Sequence, residues 1–337
     1  MLARAFTVDL HGHMLVPAVE RLVADRPEKC AEPEMQLRTM GAPSVEHNAR
    51  VLGPNVGPKL TNLETRLADL DRMQIDVQVV SPSPTQYYYW ADPDLARELV
   101  RTQNEAIAEA CARHPSRLKG LGNVALQHPD LSVAQLEHAV RQLGLVGVEV
   151  STSVNGLELA DEKLEPFWAK AESLGAVVFI HPMGTSLGER MNRFYLRNLI
   201  GNPAETTIAL SFLIFGGTLD RHPGVKIVAA HGGGYLPTYV SRSDHGHAVR
   251  PEAQSIRRRP SEYLKKIYFD SLVYEPDALR RLIDVVGASQ VVVGTDYPFD
   301  MGHYDVHGLV GAVAGLSGEE RDGILGGNAC RLLNLRR

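Results

Sequence analysis

The sequence predicts an α/β chain folded as a (β/α)8 TIM barrel with an insertion after strand 1. Three observations predict it. Eight short apolar, β-branched runs recur along the chain. Most are continuous rather than alternating, the pattern of parallel strands covered on both faces. Helix-like segments separate them, and strand–helix alternation repeated in this way closes a barrel. The 337 residues exceed an ordinary domain, but such barrels routinely pass about 250 residues as one unit. The whole chain, 1–337, is therefore expected to form a single domain.

The strands are expected at residues 6–10, 77–80, 118–124, 147–150, 177–180, 225–229, 267–269 and 291–293. Helices are expected at 93–112, 131–143, 161–174, 203–219 and 276–286. Asp92 before Pro93 gives the first of these an N-cap followed by proline at the opening position. Residues 14–58 break the alternation. They are rich in Pro, Glu, Arg and Gly, with one weak helix around 18–24. They read as an insertion long enough to cover the barrel mouth. An open doubly wound sheet is the alternative. It usually needs a Gly-rich first turn, and the first strand leads instead into His11-Gly12-His13.

Bulk properties exclude several classes of partner. The formal net charge is −5 and no run of five or six Lys or Arg occurs. Nucleic acid and anionic membranes are poor partners for such a chain. Arg257-Arg258-Arg259 ends at Pro260 and reads as a solvated loop. Cys30, Cys111 and Cys330 form no CxxC pair, which suits a reducing cytoplasm. No stretch of about 18 apolar residues appears. The N-terminus does not fit a signal peptide.

The chemistry begins at Asp9-Leu10-His11-Gly12-His13. Residues i and i+2 of a strand share a side, so His11 and His13 can bind one ion, with Gly12 leaving room between them. His181, His231 and Asp296 each follow an apolar run, where barrel enzymes place reactive groups. Each alone reads more plainly as an isolated polar residue. Their joint placement at four strand ends reverses that preference. His11, His13, His181 and Asp296 form a shell suited to one divalent metal, zinc first, with manganese or iron also compatible. A metal-activated water has a pKa near about 7, and His231 is then free to move its proton.

The motifs VDLHGH, FIHP, AAHGGGYLP and VGTDYPF, with GNPAETTIALSFLIFGG, resemble the decarboxylase-type branch of the amidohydrolase superfamily, in particular the aminocarboxymuconate-semialdehyde decarboxylases. The resemblance runs from about Phe6 to about Leu335. It implies metal binding by His11, His13, His181 and Asp296, and activation of water by His231. It also implies that Arg242 reaches a substrate carboxylate across a homodimer interface; a surface ion pair is the plainer alternative.

Two departures bear on the substrate. The branch places another substrate-binding arginine before the helix at Arg66, and residues 53–59 contain none. Arg50 or Lys59 is the available cation, and Lys lacks the planar bidentate grip of Arg. The tryptophan found after the fifth strand in the branch is Phe194 or Tyr195 here.

Other features have plain readings. His245 and His247 diverge on a helix, and His303 and His307 lack the glutamate of a zincin. Tyr87-Tyr88-Tyr89-Trp90 either walls a planar substrate or packs the mouth. Glu149 and Asp270 are expected beside the ligands or in the core. Gly232-Gly233-Gly234 is expected to permit close backbone approach to metal or substrate.

The expected reaction is non-oxidative decarboxylation of a carboxylated unsaturated or aromatic acid. Water activated by His231, or Asp296 itself, would supply the proton. Hydrolysis of an amide, ester, lactone or C–C bond at the same site is the alternative. A non-enzymatic binding barrel is a third reading, disfavoured by the chemically competent side chains.

Overall fold

The structure, a computed structural model, describes residues 4–335. Eight parallel strands form the barrel: β1 Val8–Met14, β2 Val77–Pro82, β3 Leu118–Gly122, β4 Gly147–Val150, β5 Val177–Ile180, β6 Lys226–Ala229, β7 Tyr268–Asp270 and β8 Val291–Val292. Each pairs with the next in chain order. The seam between β8 and β1 is joined by Leu10 N–H to Val293 O at 2.8 Å and His13 N–H to Tyr297 O at 2.7 Å.

All eight expected strands are present. The first differs most: it begins at Val8 and runs on to Met14, so His11 and His13 lie within it. Between Asp9 and Gly12, β1 spends one more residue than β2 does between Gln78 and Val80. A bulge of this kind redirects the side chains that follow it.

The continuous apolar runs have two faces to cover. Val177 and Phe179 of β5 pack inside the barrel with Val8, Leu10, Val79 and Val228. The C-terminal helix Asn328–Leu333 adds Ala329, Leu332 and Leu333 to that interior. Val178 and Ile180 face outward onto Phe167 and Trp168 of the helix Glu165–Leu174. The predicted cap at Asp92 is present: its side chain accepts from Asp94 N and Leu95 N, and opens the helix Pro93–Arg113.

The segment between β1 and β2 is more ordered than expected. It forms α1 Pro17–Val23, α2 Pro27–Met40, α3 Ala42–His47, a π-helical turn Asn48–Leu52, α4 Gly53–Thr61 and α5 Leu63–Arg72. The prolines explain the difference. Four of these helices carry proline in the first turn, where the missing N–H leaves no bond unmade. Pro17, Pro27, Pro43 and Pro54 mark helix starts, while Pro33 and Pro58 lie inside α2 and α4.

A half-buried clasp ties this cover to the barrel. Lys29 Nζ lies 3.0 Å from Glu20, 2.9 Å from Glu32 and 2.9 Å from the Tyr88 hydroxyl. Glu20 also accepts from Tyr88 OH at 2.5 Å and Gln86 Nε2 at 2.8 Å. Burial would raise the Glu20 pKa, but Tyr88, Gln86 and Lys29 together lower it. The clasp is therefore complete above the ordinary glutamate range of about 4.3, and is lost as pH falls through the lowered value.

Lys29→Met is expected to weaken closure of the cover by about 1 kcal/mol. Limited proteolysis at pH 7 should then nick residues 27–61 roughly fivefold faster. Equal rates in variant and wild type would remove the clasp from this role.

Candidate metal centre

His11 and His13 project from β1 to the same side. Their Nε2 atoms lie 3.1 Å apart. Asp296 Oδ1 stands 3.4 Å from His11 Nε2 and 3.1 Å from His13 Nε2. His181, directly after β5, closes the group, with ring centroids 5.0 Å from His11 and 4.7 Å from His13. One donor atom from each of the four residues lies within 4.8 Å of the others, and all four residues are buried.

The inner residues are held by their far sides. His11 Nδ1 lies 2.7 Å from Asp270 Oδ2, which fixes its proton there and leaves Nε2 for the shared point. Asp270 also accepts from the backbone N–H of His231 at 2.9 Å and Gly232 at 2.8 Å. His13 Nδ1 faces Pro82 O at 3.2 Å and Ser81 Oγ at 3.3 Å, with Glu149 Oε2 at 3.6 Å. Such outer contacts orient ligating imidazoles. Asp270 and Glu149 thus occupy the supporting positions expected of them.

Both ring nitrogens of His181 and Oδ1 of Asp296 are buried without a hydrogen-bond partner. Unpaired buried polar atoms are costly, and a cation at their convergence would satisfy them. Three imidazoles and one carboxylate suit a divalent ion. Burial, then His13, His11 and His231, holds the His181 pKa well below its ordinary value, so the ring is neutral and able to ligate. Burial opposes charge on Asp296 too, but His11, His13 and His231 pull it well below the carboxylate range. His11 is raised to about 10 against burial by Asp296 and Asp270. Metal loading would displace that proton.

His231 stands slightly apart, its Nε2 3.8 Å from Asp296 Oδ2. His231 and Asp296 both adopt left-handed backbone, at φ +55° and +57°. Non-glycine residues are uncommon there, and histidine and aspartate are among the better tolerated.

A model of the amidohydrolase family matches residues 8–335. The chain belongs to the amidohydrolase family. A 2-amino-3-carboxymuconate-6-semialdehyde decarboxylase of Dictyostelium discoideum is 37% identical over 274 residues, 81% of this chain and 76% of the relative. A gamma-resorcylate decarboxylase of Rhodococcus jostii is 28% identical over 255 residues, 70% of this chain and 77% of the relative. Among solved structures, 5-carboxyvanillate decarboxylase from Sphingomonas paucimobilis superposes with a TM-score of 0.85 at 24% identity, covering 99% of this chain and 100% of that one. That likeness speaks for the fold.

The mouth of this amidohydrolase holds a cavity of about 210 Å³ lined by His181, His231 and Asp296. Met40, Ser44, Asn48 and Leu52 of the cover contribute its outer wall. A larger cavity of about 930 Å³ shares Met40, Ser44, Asn48, Tyr195 and Asp300 with it but contains none of the four ligand candidates. It forms an outer vestibule that adjoins the smaller cavity through these shared residues.

Of the expected substrate contacts, Phe194 and Lys59 do not line the inner cavity, and Arg242 lines neither cavity of its own chain. Phe194 is 82% exposed and lines only the vestibule. Its neighbour Tyr195, the other aromatic at this point, lines both chambers. Left-handed backbone at both residues, φ +56° and +61°, turns the chain so that the second aromatic enters. Lys59 lies on α4 and lines neither chamber; its carbonyl accepts from Arg66 Nη2 at 3.2 Å. Arg50 pairs with Glu46 at 2.7 Å on the surface. Arg242 is exposed on the helix Leu236–Val249, without an ion pair among the described residues, and lines neither chamber of its own chain.

Tyr87, Tyr88 and Tyr89 pack the mouth rather than wall it. Tyr87 OH donates to Glu149 at 2.6 Å, Tyr88 bonds Glu20, and Tyr89 OH accepts from Ser151 N at 3.2 Å. The glycine run answers to the protein's own crowding. A Cβ on Gly234 would lie 2.1 Å from Pro203 O, and one on Gly233 2.6 Å from Phe269.

Sequence reasoning missed Arg197, Asn198 and Asn202 in the inner cavity. Their position in the loop after the fifth strand was the available signal.

The protein is expected to carry about one equivalent of divalent metal by elemental analysis, falling to under roughly a tenth in His181→Ala. Asp270→Asn should weaken metal affinity about 10- to 100-fold in chelator competition. Wild-type affinity in that variant would exclude Asp270 as the support of His11.

Proposed function

We propose that this amidohydrolase is a metal-dependent, non-oxidative decarboxylase of a carboxylated unsaturated or aromatic acid. The carrying observation is the 37% identity, over 81% of the chain, to a 2-amino-3-carboxymuconate-6-semialdehyde decarboxylase. The more distant gamma-resorcylate relatives are also decarboxylases of carboxylated rings. The buried cluster of His11, His13, His181 and Asp296 supplies a fitting metal shell.

A divalent metal held there supplies Lewis-acid polarisation of a substrate oxygen and stabilises developing negative charge. Zinc suits the ligand set; manganese is the other candidate, being bound in a structure of the 5-carboxyvanillate decarboxylase of Novosphingobium aromaticivorans. His231 holds the proton and delivers it, through water or by way of Asp296 3.8 Å away, to the carbon bearing the carboxylate. The C–C bond to the carboxylate then breaks, its electron pair returns to the unsaturated system, and CO2 leaves. Residues 14–58 act as the cover that keeps bulk water from this step.

A homodimer agrees with the exposed surface. Leu199, Ile200, Phe212, Tyr235, Tyr239 and Val249 are each at least 41% exposed. They belong to neighbouring parts of the fold, with Tyr235 OH donating to Leu199 O at 3.2 Å. Apolar surface of this kind marks an interface. Arg242 lies one helical turn beyond Tyr239, and in such a dimer it would serve a partner's cavity. Cys30, Cys111 and Cys330 are unpaired, which suits the cytoplasm.

CO2 release from a panel of such acids tests the reaction. Incorporation of oxygen from labelled water into product, without CO2, would identify hydrolysis instead. His231→Ala is expected to keep its metal and lose about 10²- to 10⁴-fold in turnover; unchanged turnover would sink its role. Mixing inactive His231→Ala and Arg242→Ala proteins should restore up to about a quarter of wild-type activity through mixed dimers. No recovery would place Arg242 outside the partner's site.

A further inference from the structure

We propose that Arg197 is a substrate-binding residue that grips a second carboxylate, so that the substrate is a dicarboxylate held between the metal centre and this guanidinium. The inference deepens the decarboxylase reading and rests on it for the fate of the first carboxylate.

Arg197 opens the π-helical turn Arg197–Gly201, directly before the helix Asn202–Phe215. It lines the inner cavity on which His181, His231 and Asp296 also open. Among the residues that line this cavity it is the one Arg or Lys. Its side chain has no hydrogen bond and no ion pair to protein among the described residues, although Asp296 and Asp300 line the same space. Burial pulls its pKa down, as expected of a cation partly withdrawn from water without a counter-charge. A structural arginine under that cost normally has a carboxylate or carbonyl against it. Arg66 illustrates the contrast: fully buried, it donates to Gln78 Oε1 at 2.6 Å and to the His13 and Lys59 carbonyls.

The place for the guanidinium is also made. Gly184 has φ +87°, and a Cβ there would lie 2.6 Å from Arg197 Nη2. Any other residue at 184 would push the guanidinium aside. Asn198 and Asn202 line the cavity beside it and offer uncharged amides, which can complete the hydrogen bonding of a carboxylate without repelling it. Arginine suits planar, two-point recognition of such a group. No Arg or Lys stands in the cavity wall formed by the cover, so an anion entering the cavity meets its one Arg or Lys on the fifth loop of the barrel.

The test uses isophthalate, a benzene dicarboxylate, and benzoate, which lacks the second carboxylate. Binding to the metal-loaded protein is measured by titration calorimetry. Wild type should bind isophthalate more tightly than benzoate. Arg197→Met should lose about 10- to 100-fold on isophthalate and stay within about twofold on benzoate. Arg197→Lys should fall between, and its unaltered benzoate binding guards against misfolding of the Met variant. Equal affinity of wild type for both ligands, or equal losses on both in Arg197→Met, overturns the proposal. So does loss of the isophthalate preference in Arg242→Ala with its retention in Arg197→Met, which would give the second carboxylate to the partner subunit. Absence of CO2 release from every acid tested, with the calorimetric preference intact, would instead overturn the decarboxylase reading and leave the anion site standing.

Discussion

The seam of the barrel is governed by a carboxylate sealed from water. Asp9 is fully buried and accepts four hydrogen bonds: from His11 N at 3.1 Å, Thr295 N at 3.0 Å, Thr295 Oγ1 at 2.6 Å and Gln78 Nε2 at 2.7 Å. These bonds reach β1, β2 and the loop after β8, the three pieces of chain that must meet for the barrel to close. Burial raises the Asp9 pKa and the hydrogen bonds oppose it. His11 and Asp296 each lie within two residues of this junction, so the atoms that converge on the metal position inherit their placement from it. Gln78 is braced in turn by Arg66, whose guanidinium sits 4.9 Å from the Tyr297 ring.

The centre itself is an arrangement that protein atoms alone do not satisfy. Asp296 offsets part of the crowding among three imidazoles, yet its Oδ1 and the whole His181 ring lack hydrogen-bond partners. Two of the groups at the site also hold left-handed backbone. Conformations of that sort persist where surrounding structure enforces them. Here Asp270 enforces one by taking the His231 and Gly232 N–H groups, and Asp296 N–H donates to His11 O at 2.9 Å to enforce the other.

The barrel and the ligand set were legible because their signals are local. A buried strand reads as an apolar run, and a loop residue at its C-terminal end lies on the reactive face whatever follows. His181, His231 and Asp296 needed no more than that. The cover was less legible, since proline marks a helix start as well as a break. Choosing between Phe194 and Tyr195 required backbone angles that no alternation rule supplies. For Arg197 the loop position was the one signal, and its direction was not legible, because a π-helical turn, not a regular period, aims it. Lys59 rests on chain position, whereas facing direction decides what lines a cavity; its carbonyl accepts from Arg66 and it lines neither cavity. The part played by Asp9 depends on partners up to 286 positions away in sequence.

Within the cover, α2 is attached differently from α1 and α4, which bury Val19, Val23, Val56 and Leu60. None of the residues of α2 is buried. Besides the Lys29 clasp, α2 meets the loop after the fifth strand through polar contacts such as Asn192 Nδ2–H to Arg38 O at 3.2 Å. The ligands belong to the barrel, whereas much of the wall a substrate would meet belongs to the cover. Selection can therefore act on the two separately. A lineage can exchange residues 27–40 and alter which molecules enter while inheriting the reactive centre intact, a modularity through which one barrel can diversify its diet without reinventing its chemistry.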